Sequence, residues 1–291
     1  MVETAITVLS NMLRLVPDRV PGKTRLGRML LNPFLSRVPG VLTDLDGCSF
    51  LLPSYAEPIA QHLFTFGEYE PETRGVILEF LSEHGTLIDV GANIGALAIP
   101  VAKTHPQASI VCIEADPEIH RFLQDNVSRN GCKNIRTICC VAGEVDGEVI
   151  PFYRAPKNKF GMGSIGAQFC DVPVMLWQRS IDNVLAELNI NQVDVLKIDV
   201  EGAELGVLRG ARRLLGSERP PVILFEFADW AEARIPGQRS GDAQELLLGA
   251  GYRLFRLEPG RRRGEELFAP VCVGSGMFLA LPLHMGRSAR P

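Results

Sequence analysis

Four acidic residues stand at or near the ends of short apolar runs in this sequence. The runs read TLIDV, SIVCIEA, VLKIDV and VILFEF, and the acids are Asp89, Glu114, Asp199 and Glu226. An acid that follows a single strand is often only a cap for the next helix. In an open parallel sheet, however, the carboxyl ends of the strands line the crevice where ligands bind. The four positions together therefore predict an acidic ligand site.

The turn after Asp89 indicates what kind of ligand the crevice takes. It contains Gly91, Ala92, Asn93 and Gly95. A pyrophosphate needs a close approach of bare backbone, and Gly-x-Gly-x-x-Gly is the pattern that provides it. Here side chains occupy the centre of the turn, and no Walker-type lysine follows. The turn therefore disfavours a dinucleotide and suits a ligand without phosphate groups.

Glu114 adds a second element of the same ligand. It follows Gly95 by 19 positions, close to the offset of roughly 20 residues at which an acid meets ribose hydroxyls. S-adenosylmethionine satisfies both indications. Its ribose would meet Glu114, its ammonium group would meet Asp89, and its carboxylate would face the amides at the start of the following helix.

An alternation of strand and helix patterns from residue 86 onward would position these acids. Apolar runs of about 4 to 8 residues alternate with amphipathic segments of about 10 to 15, which is typical of a parallel sheet with right-handed crossovers. The predicted parallel strands read TLIDV, SIVCIEA, IRTICCVAG, VDVLKIDV and PVILFEF. Residues 144–176 interrupt the alternation with two predicted antiparallel strands, EVIPFY and DVPVMLW, around a glycine-rich loop. The strands GYRLFRL and GMFLALP follow the last predicted parallel strand.

Residues 1–64 are predicted to form a helical and hairpin extension, residues 65–284 the main domain, and residues 285–291 a tail. The segment AITVLSNMLRLV has apolar residues at helical spacing, and LTDLDGCSFLLP predicts a hairpin that turns at Asp46. Up to Arg37 the extension holds six basic residues against Glu3 and Asp18. We expect the first helix to pack on the domain, and peripheral contact with an anionic membrane is the alternative.

Composition restricts the class of protein. The 291 residues are 46% hydrophobic and 22% charged, with a net charge of −4, which is typical of a globular protein without general attraction to nucleic acid. Seven scattered cysteines without a Cys-x-x-Cys pair predict free thiols in a reducing compartment. We find neither a secretory signal pattern nor an apolar run of about 18 residues, so we expect a cytoplasmic protein. The sequence does not indicate an oligomeric state.

Three blocks of the sequence resemble the FkbM-type methyltransferases, a family of S-adenosylmethionine-dependent O-methyltransferases. The blocks are GEYEPE at 67–72, LIDVGANIGALAI at 87–99 and LKIDVEGAELGVLRGA at 196–211. The resemblance covers about residues 65–230. It implies an α/β fold with a doubly wound, mostly parallel, seven-stranded Rossmann-like methyltransferase sheet and an antiparallel C-terminal hairpin.

The resemblance also implies a cofactor site for S-adenosylmethionine. Asp89, Gly91, Asn93, Gly95 and Glu114 match positions that bind the cofactor in the family. The complete predicted set adds neighbours in the same turns and at the edge of the third strand, where this sequence is more apolar than is common in the family. It consists of Asp89, Gly91, Ala92, Asn93, Gly95, Glu114, Ala115, Val141 and Ala142.

Methyl transfer to a hydroxyl group calls for a base, because a protonated hydroxyl is a poor nucleophile. Asp199 is the first candidate and Glu201 the second; capping the next helix is the structural alternative for both. Lys197, in an otherwise apolar strand, needs an acidic partner. Asp199, Glu201 and Glu226 could instead hold a divalent cation, but the sequence has no tight ligand spacing that indicates one, so we assign no metal ligands and the use of a metal stays open at this point.

The expected acceptor is a hydroxyl-bearing small molecule, a sugar or glycolipid, or another secondary metabolite. Two other classes of function stay open at this point. One is a nicotinamide-dinucleotide-dependent oxidoreductase, against which Ala92 and Asn93 argue. The other is a non-catalytic binding protein with the same fold, against which the four acids at strand ends argue.

Overall fold

The computed structural model describes residues 2–34, 39–45, 47–156, 158–258, 260 and 263–283. Three features predicted from sequence lie outside these residues: Arg37 of the basic segment, Asp46 of the hairpin turn and the tail at 285–291.

Eleven α-helices are present in the described residues. They are α1 (Val2–Arg14), α2 (Lys23–Leu31), α3 (Pro58–Phe66), α4 (Pro71–Phe80), α5 (Ala98–Thr104), α6 (Pro117–Arg129), α7 (Ile181–Glu187), α8 (Glu204–Arg209), α9 (Arg212–Leu215), α10 (Asp229–Glu232) and α11 (Asp242–Gly249). Short 3-10 turns occur at Asn32–Phe34 and Phe160–Met162. None of these helices combines the length and the hydropathy that a bilayer span requires.

Thirteen strands are present in the same residues. They are β1 (Gly40–Leu45), β2 (Cys48–Leu52), β3 (Thr86–Val90), β4 (Ser109–Glu114), β5 (Ile135–Cys139), β6 (Val141–Ala142), β7 (Val149–Phe152), β8 (Val174–Arg179), β9 (Val195–Ile198), β10 (Val222–Ala228), β11 (Tyr252–Arg256), β12 (Glu266–Leu267) and β13 (Ser275–Pro282).

The main sheet has the strand order β12-β11-β13-β10-β9-β3-β4-β5. The run from β10 to β5 is parallel, and β13 lies antiparallel between β10 and β11. The predicted doubly wound sheet with an antiparallel C-terminal hairpin is therefore confirmed. The structure adds an eighth strand, β12, whose two residues are too few to produce a periodic pattern. Arg253 and Glu266 hold it to β11 through an ion pair of 2.7 Å.

Both faces of the main sheet are covered. Leu87 and Ile110 belong to one hydrophobic cluster, whereas Ile88 and Val111 belong to another. Successive residues of a strand point to opposite faces, so the two clusters lie on the two sides of the sheet. This explains why the strands read as continuous apolar runs instead of alternating with polar residues.

Two predicted elements are divided in the structure. The run IRTICCVAG forms β5 in the main sheet, and after Cys140 it forms β6, which belongs to a separate sheet of order β6-β8-β7. The predicted antiparallel pairing of EVIPFY with DVPVMLW is confirmed as β7 and β8. The amphipathic segment that follows the predicted strand VDVLKIDV reads EGAELGVLRGARRLL; it becomes helical only at Glu204 and is interrupted after Arg209, giving α8 and α9.

The N-terminal extension packs on the main domain. Ile6, Leu13 and Leu31 are buried in the same hydrophobic cluster as Leu87 of β3. The hairpin of β1 and β2 is attached to α6 because Asn126 exchanges hydrogen bonds with both backbone groups of Leu51, at 2.6 and 3.1 Å. The packing expected for the first helix is therefore observed.

Candidate cofactor and active site

A cavity of about 280 Å³ opens at the carboxyl ends of β3, β4, β9 and β10. This is the edge of the sheet where ligands bind in open α/β folds. Ten of the eleven residues predicted for cofactor and catalysis line it. They are Asp89, Gly91, Ala92, Asn93, Glu114, Ala115, Val141, Ala142, Asp199 and Glu201.

The two glycines of the turn have different local roles. Gly91 has a φ of +78°, and a Cβ atom there would collide with the backbone oxygen of Asp199. It is needed so that the turn after β3 can lie against the end of β9. Gly95 does not line the cavity; its φ is +83°, and it packs on Ile99 and Leu123. The structure therefore places Gly95 in the turn itself and not at the ligand surface.

Glu114 is held rigidly at the end of β4. Its two carboxylate oxygens accept hydrogen bonds from the backbone N–H groups of Asn93 and Asp116, each at 2.9 Å. Burial raises the pKa of Glu114 to about 7, against the lowering effect of these hydrogen bonds. Each carboxylate oxygen has a further lone pair, so the group can accept hydroxyl donors from a ligand without moving.

Asp89 and Asp199 share one buried lysine. Lys197 is 3% exposed, and its Nζ lies 3.4 Å from Asp89 Oδ1 and 3.2 Å from Asp199 Oδ2. Burial alone would lower the pKa of Lys197, but the neighbouring carboxylates, Asp199 first among them, outweigh it and hold the pKa above its usual value. The sequence predicts one acidic partner for Lys197, and the structure provides two, Asp89 and Asp199.

Asp89 keeps unused acceptor capacity. It is 1% exposed and lines the cavity; Lys197 pairs with Oδ1, and Oδ2 accepts no hydrogen bond from the described residues. Burial raises its pKa, while the charge of Lys197 opposes that shift. A buried carboxylate in this condition gains from any cationic donor that enters the cavity.

A denser group of acids lies on the opposite side of the cavity. One carboxylate oxygen each of Asp199, Glu201 and Glu226 lies within 4.8 Å of the other two. Burial, followed by the charge of Asp199, raises the pKa of Glu201 to about 8. Burial and then the neighbouring acids raise the pKa of Glu226 to about 10. Like charges so close together cannot all ionise freely, so the group holds protons at neutral pH or attracts a cation.

The glycine-rich loop forms part of the rim. Gly161, Gly163 and Ile165 line the cavity. The Ser164 hydroxyl donates a 2.8 Å hydrogen bond to the backbone oxygen of Glu201, and the Gln168 side chain donates another to the same oxygen at 3.3 Å. The loop therefore braces the backbone at the second candidate base.

The structure adds one acid, Glu57, that sequence reasoning did not place at the site. Glu57 is 4% exposed and lines the cavity while it caps α3 by accepting from Ala60 N at 3.1 Å. Burial raises its pKa to about 7. The pair Glu57 and Pro58 at the start of a helix predicts a helix cap. The sequence therefore gives no indication that Glu57 also lines a cavity. Tyr69 and Glu70, inside the matched block GEYEPE, also line the cavity, and Glu70 has a left-handed φ of +46°.

The sequence model of the family described as Methyltransferase FkbM domain matches residues 89–254. This stretch is more than half of the chain, and it contains the four acids at the strand ends.

Several curated relatives carry methyltransferase names. A protein named Methyltransferase 1 from Beauveria bassiana (strain ARSEF 2860) is 27% identical over 142 residues, 43% of this chain and 57% of that protein. The 2-O-methyltransferase NoeI of Sinorhizobium fredii (strain NBRC 101917 / NGR234) is 24% identical over 157 residues, 49% of this chain and 63% of that protein. The matched part thus spans less than two thirds of each relative.

Among solved structures, the precorrin-6y C5,15-methyltransferase of Geobacter metallireducens GS-15 aligns with a TM-score of 0.43 and 15% identity. The alignment covers 74% of this chain and 92% of that one.

Proposed function

The chain belongs to the FkbM methyltransferase domain family, and we propose that it methylates a hydroxyl group of its acceptor with S-adenosylmethionine as the methyl donor. The observation that carries this proposal is the pair of carboxylates on the β3–β4 side. Asp89 offers a buried Oδ2 that accepts no hydrogen bond in the described part of the chain, and Glu114 is fixed by two backbone amides.

These residues fit the polar groups of the donor. S-adenosylmethionine supplies a methyl group on a sulfonium, which a nucleophilic oxygen displaces in line. Asp89 would bind its ammonium group, and Glu114 would accept from the ribose hydroxyls. Val141 and Ala142, at an apolar edge of the cavity, would contact the adenine ring of the donor. Asn93, which stands where a pyrophosphate would need bare backbone, supports a donor without phosphates.

Asp199 is the proposed general base. Its carboxylate lines the cavity and is paired with the buried Nζ of Lys197 at 3.2 Å, which holds it in place. Glu201 has a pKa raised to about 8, so it is roughly nine-tenths protonated at pH 7. Lys197 is a positioning residue in this proposal, because it acts through the two aspartates that it pairs with.

The acceptor is proposed to be a sugar, glycolipid or other secondary metabolite with a free hydroxyl. The similarity to a protein named as a 2-O-methyltransferase supports oxygen as the acceptor atom. The carboxyl oxygens of Asp199, Glu201 and Glu226 line the cavity, and each can accept a hydrogen bond from an acceptor hydroxyl.

The test is turnover with a panel of glycan, lipid and small-molecule acceptors, with the methylated product detected by mass. Asp199→Asn should lower turnover roughly 100- to 10,000-fold and leave donor affinity almost unchanged. Asp125→Asn, at an exposed position of α6, is the matched control and should behave as wild type.

The pH profile separates the two candidate bases. A base must be ionised, so if Glu201 accepts the proton, turnover rises with pH through about 8 and then levels off. A profile without a rise centred near pH 8 would exclude Glu201 as the base. Retained turnover in Asp199→Asn would remove Asp199 from this role.

A further inference from the structure

The first helix exposes an apolar stripe that the main domain does not use. Val8, Met12 and Leu15 are 51%, 62% and 85% exposed. Their spacing of four and three residues places them on one face of α1, extended by Leu15 just beyond its end. The opposite face is buried through Ile6 and Leu13. The stripe therefore points away from the protein core.

The second helix presents a similar outer face. Gly27 points inward, and a Cβ atom there would collide with the Thr65 hydroxyl and lie 3.2 Å from a Leu13 methyl group. This close approach seats α2 against α3 and α1. Met29 lies on the opposite side of α2 and is 64% exposed, and Leu26 is also exposed. Both helices thus carry large apolar side chains in solvent.

Arginines accompany these apolar side chains. Arg19, Arg25 and Arg28 are exposed and form no ion pair with another described residue. Asp18, one of two acids before residue 35, is already paired with Lys23 at 2.6 Å. Residues 1–34 hold five basic and two acidic side chains, a net charge of +3, so the rest of the chain carries −7 to give the total of −4.

We propose that the outer faces of α1 and α2 form a docking surface for an anionic lipid bilayer. We call this the α1–α2 surface, and it consists of Val8, Met12, Leu15, Arg19, Arg25, Leu26, Arg28 and Met29. Apolar side chains that enter the interface together with arginines that meet lipid phosphates are the two contributions that hold amphipathic helices on membranes. A second copy of the chain would bring two positive surfaces face to face, and a nucleic acid would leave the apolar stripe unused.

Helix α3 joins this surface to the cavity. Pro58 and Ile59 at its start line the cavity. Near its end, the Phe64 backbone oxygen accepts a 2.7 Å hydrogen bond from Ser10 of α1. The nine residues of α3 span only about 13 Å. A protein docked through the α1–α2 surface would therefore keep its cavity close to the bilayer.

Co-sedimentation of the full chain with vesicles tests the proposal. The protein should sediment with vesicles of phosphatidylcholine and phosphatidylglycerol, and poorly with vesicles of phosphatidylcholine alone. Binding should weaken as salt concentration rises. The double variants Met12→Glu/Leu15→Glu and Arg25→Glu/Arg28→Glu should each lower partitioning at least about tenfold.

Matched controls use exposed residues elsewhere. Phe268→Glu replaces a side chain that is 85% exposed, and Arg219→Glu reverses an exposed charge; both should bind vesicles as wild type does. Thermal unfolding verifies that each variant is folded. Failure of the wild type to bind anionic vesicles, or equal binding by folded variants of the surface, overturns the proposal. So does light scattering that shows a dimer which Met12→Glu/Leu15→Glu dissociates while vesicle binding is unchanged.

Discussion

On the β3–β4 side of the cavity, Glu114 accepts hydrogen bonds from two backbone amides, whereas on the β9–β10 side Glu201 and Glu226 lie beside Asp199 with like charge. Both sides bury carboxylates at strand ends. On the first side the backbone fixes Glu114, so the geometry of that carboxylate is set before a ligand arrives. The second side leaves its carboxylates to depend on protons and on Lys197.

We interpret this difference as a division of roles: the first side binds the methyl donor, and the second side carries out the chemistry. A carboxylate that is fixed by the backbone binds neutral hydroxyl donors in one orientation. Neighbouring acids whose pKa values are raised further, to about 8 for Glu201 and about 10 for Glu226, instead hold protons at neutral pH and respond to the charge of a ligand. We therefore expect substitutions on the first side to change donor affinity, and substitutions on the second to change turnover and the pH dependence of stability.

Gly91 lies where the turn after β3 meets the end of β9, between the two sides of the cavity. We expect this position to be the most sensitive to substitution. Gly91→Ala would force a Cβ atom against the Asp199 backbone oxygen at a left-handed φ of +78°. We expect a loss of about 3 kcal/mol or more in the free energy of unfolding, measured by urea denaturation.

Gly147→Ala is the matched control for this substitution. Its φ is +82°, but a Cβ atom there meets nothing within 4 Å, so only the backbone strain of about 1–2 kcal/mol applies. An equal effect of the two substitutions would show that the contact between Gly91 and Asp199 is unimportant.

Glu114→Ala should weaken the binding of S-adenosylmethionine about 10- to 100-fold, because hydrogen bonds to a charged group are lost. Binding to the wild type should also weaken as pH falls below about 7, where Glu114 becomes protonated. Isothermal titration calorimetry measures both effects. Glu118→Ala replaces an exposed acid in the first turn of α6 and serves as the control. Unchanged affinity in Glu114→Ala would contradict the assignment of the ribose site.

The smallest effect is expected from Glu226→Gln. Its raised folded-state pKa, about 10, means that folding favours the protonated form. The contribution of Glu226 to stability is therefore fully present below about pH 4.5 and is lost as pH rises toward 10, because Glu226 ionises more readily in the unfolded chain. Glu226→Gln removes this cost and should stabilise the ligand-free protein by on the order of 1–2 kcal/mol at pH 8, and by little at pH 5.

Thermal unfolding at the two pH values measures this difference. An increase of the same size at both would mean that Glu226 does not titrate in the way its surroundings indicate.

Much of the fold follows from local patterns in the sequence. The apolar runs predict the parallel strands because burial on both faces leaves no room for polar residues. The division after Cys139 is not visible, because the apolar run continues unchanged while the strand leaves one sheet and joins another. The pairing of two-residue β12 with β11 depends on contacts distant in sequence.

The candidate site was predictable where the type of a residue and its distance from a motif indicate its role. Glu114 stands at a recognisable distance from the glycine turn, and Lys197 in an apolar strand requires an acid. Glu57 reads as a helix cap, and its place in the cavity follows from how α3 packs. The need for glycine at Gly91 comes from the end of β9, more than one hundred residues away in sequence.

The most direct measurement of the central claim is calorimetric titration of the wild-type chain with S-adenosylmethionine, with its demethylated product and with a nicotinamide dinucleotide. We predict one site per chain for the first two, weakened by Glu114→Ala, and no binding of the third. Binding of the dinucleotide without binding of S-adenosylmethionine, or no binding of any of the three, would contradict the account.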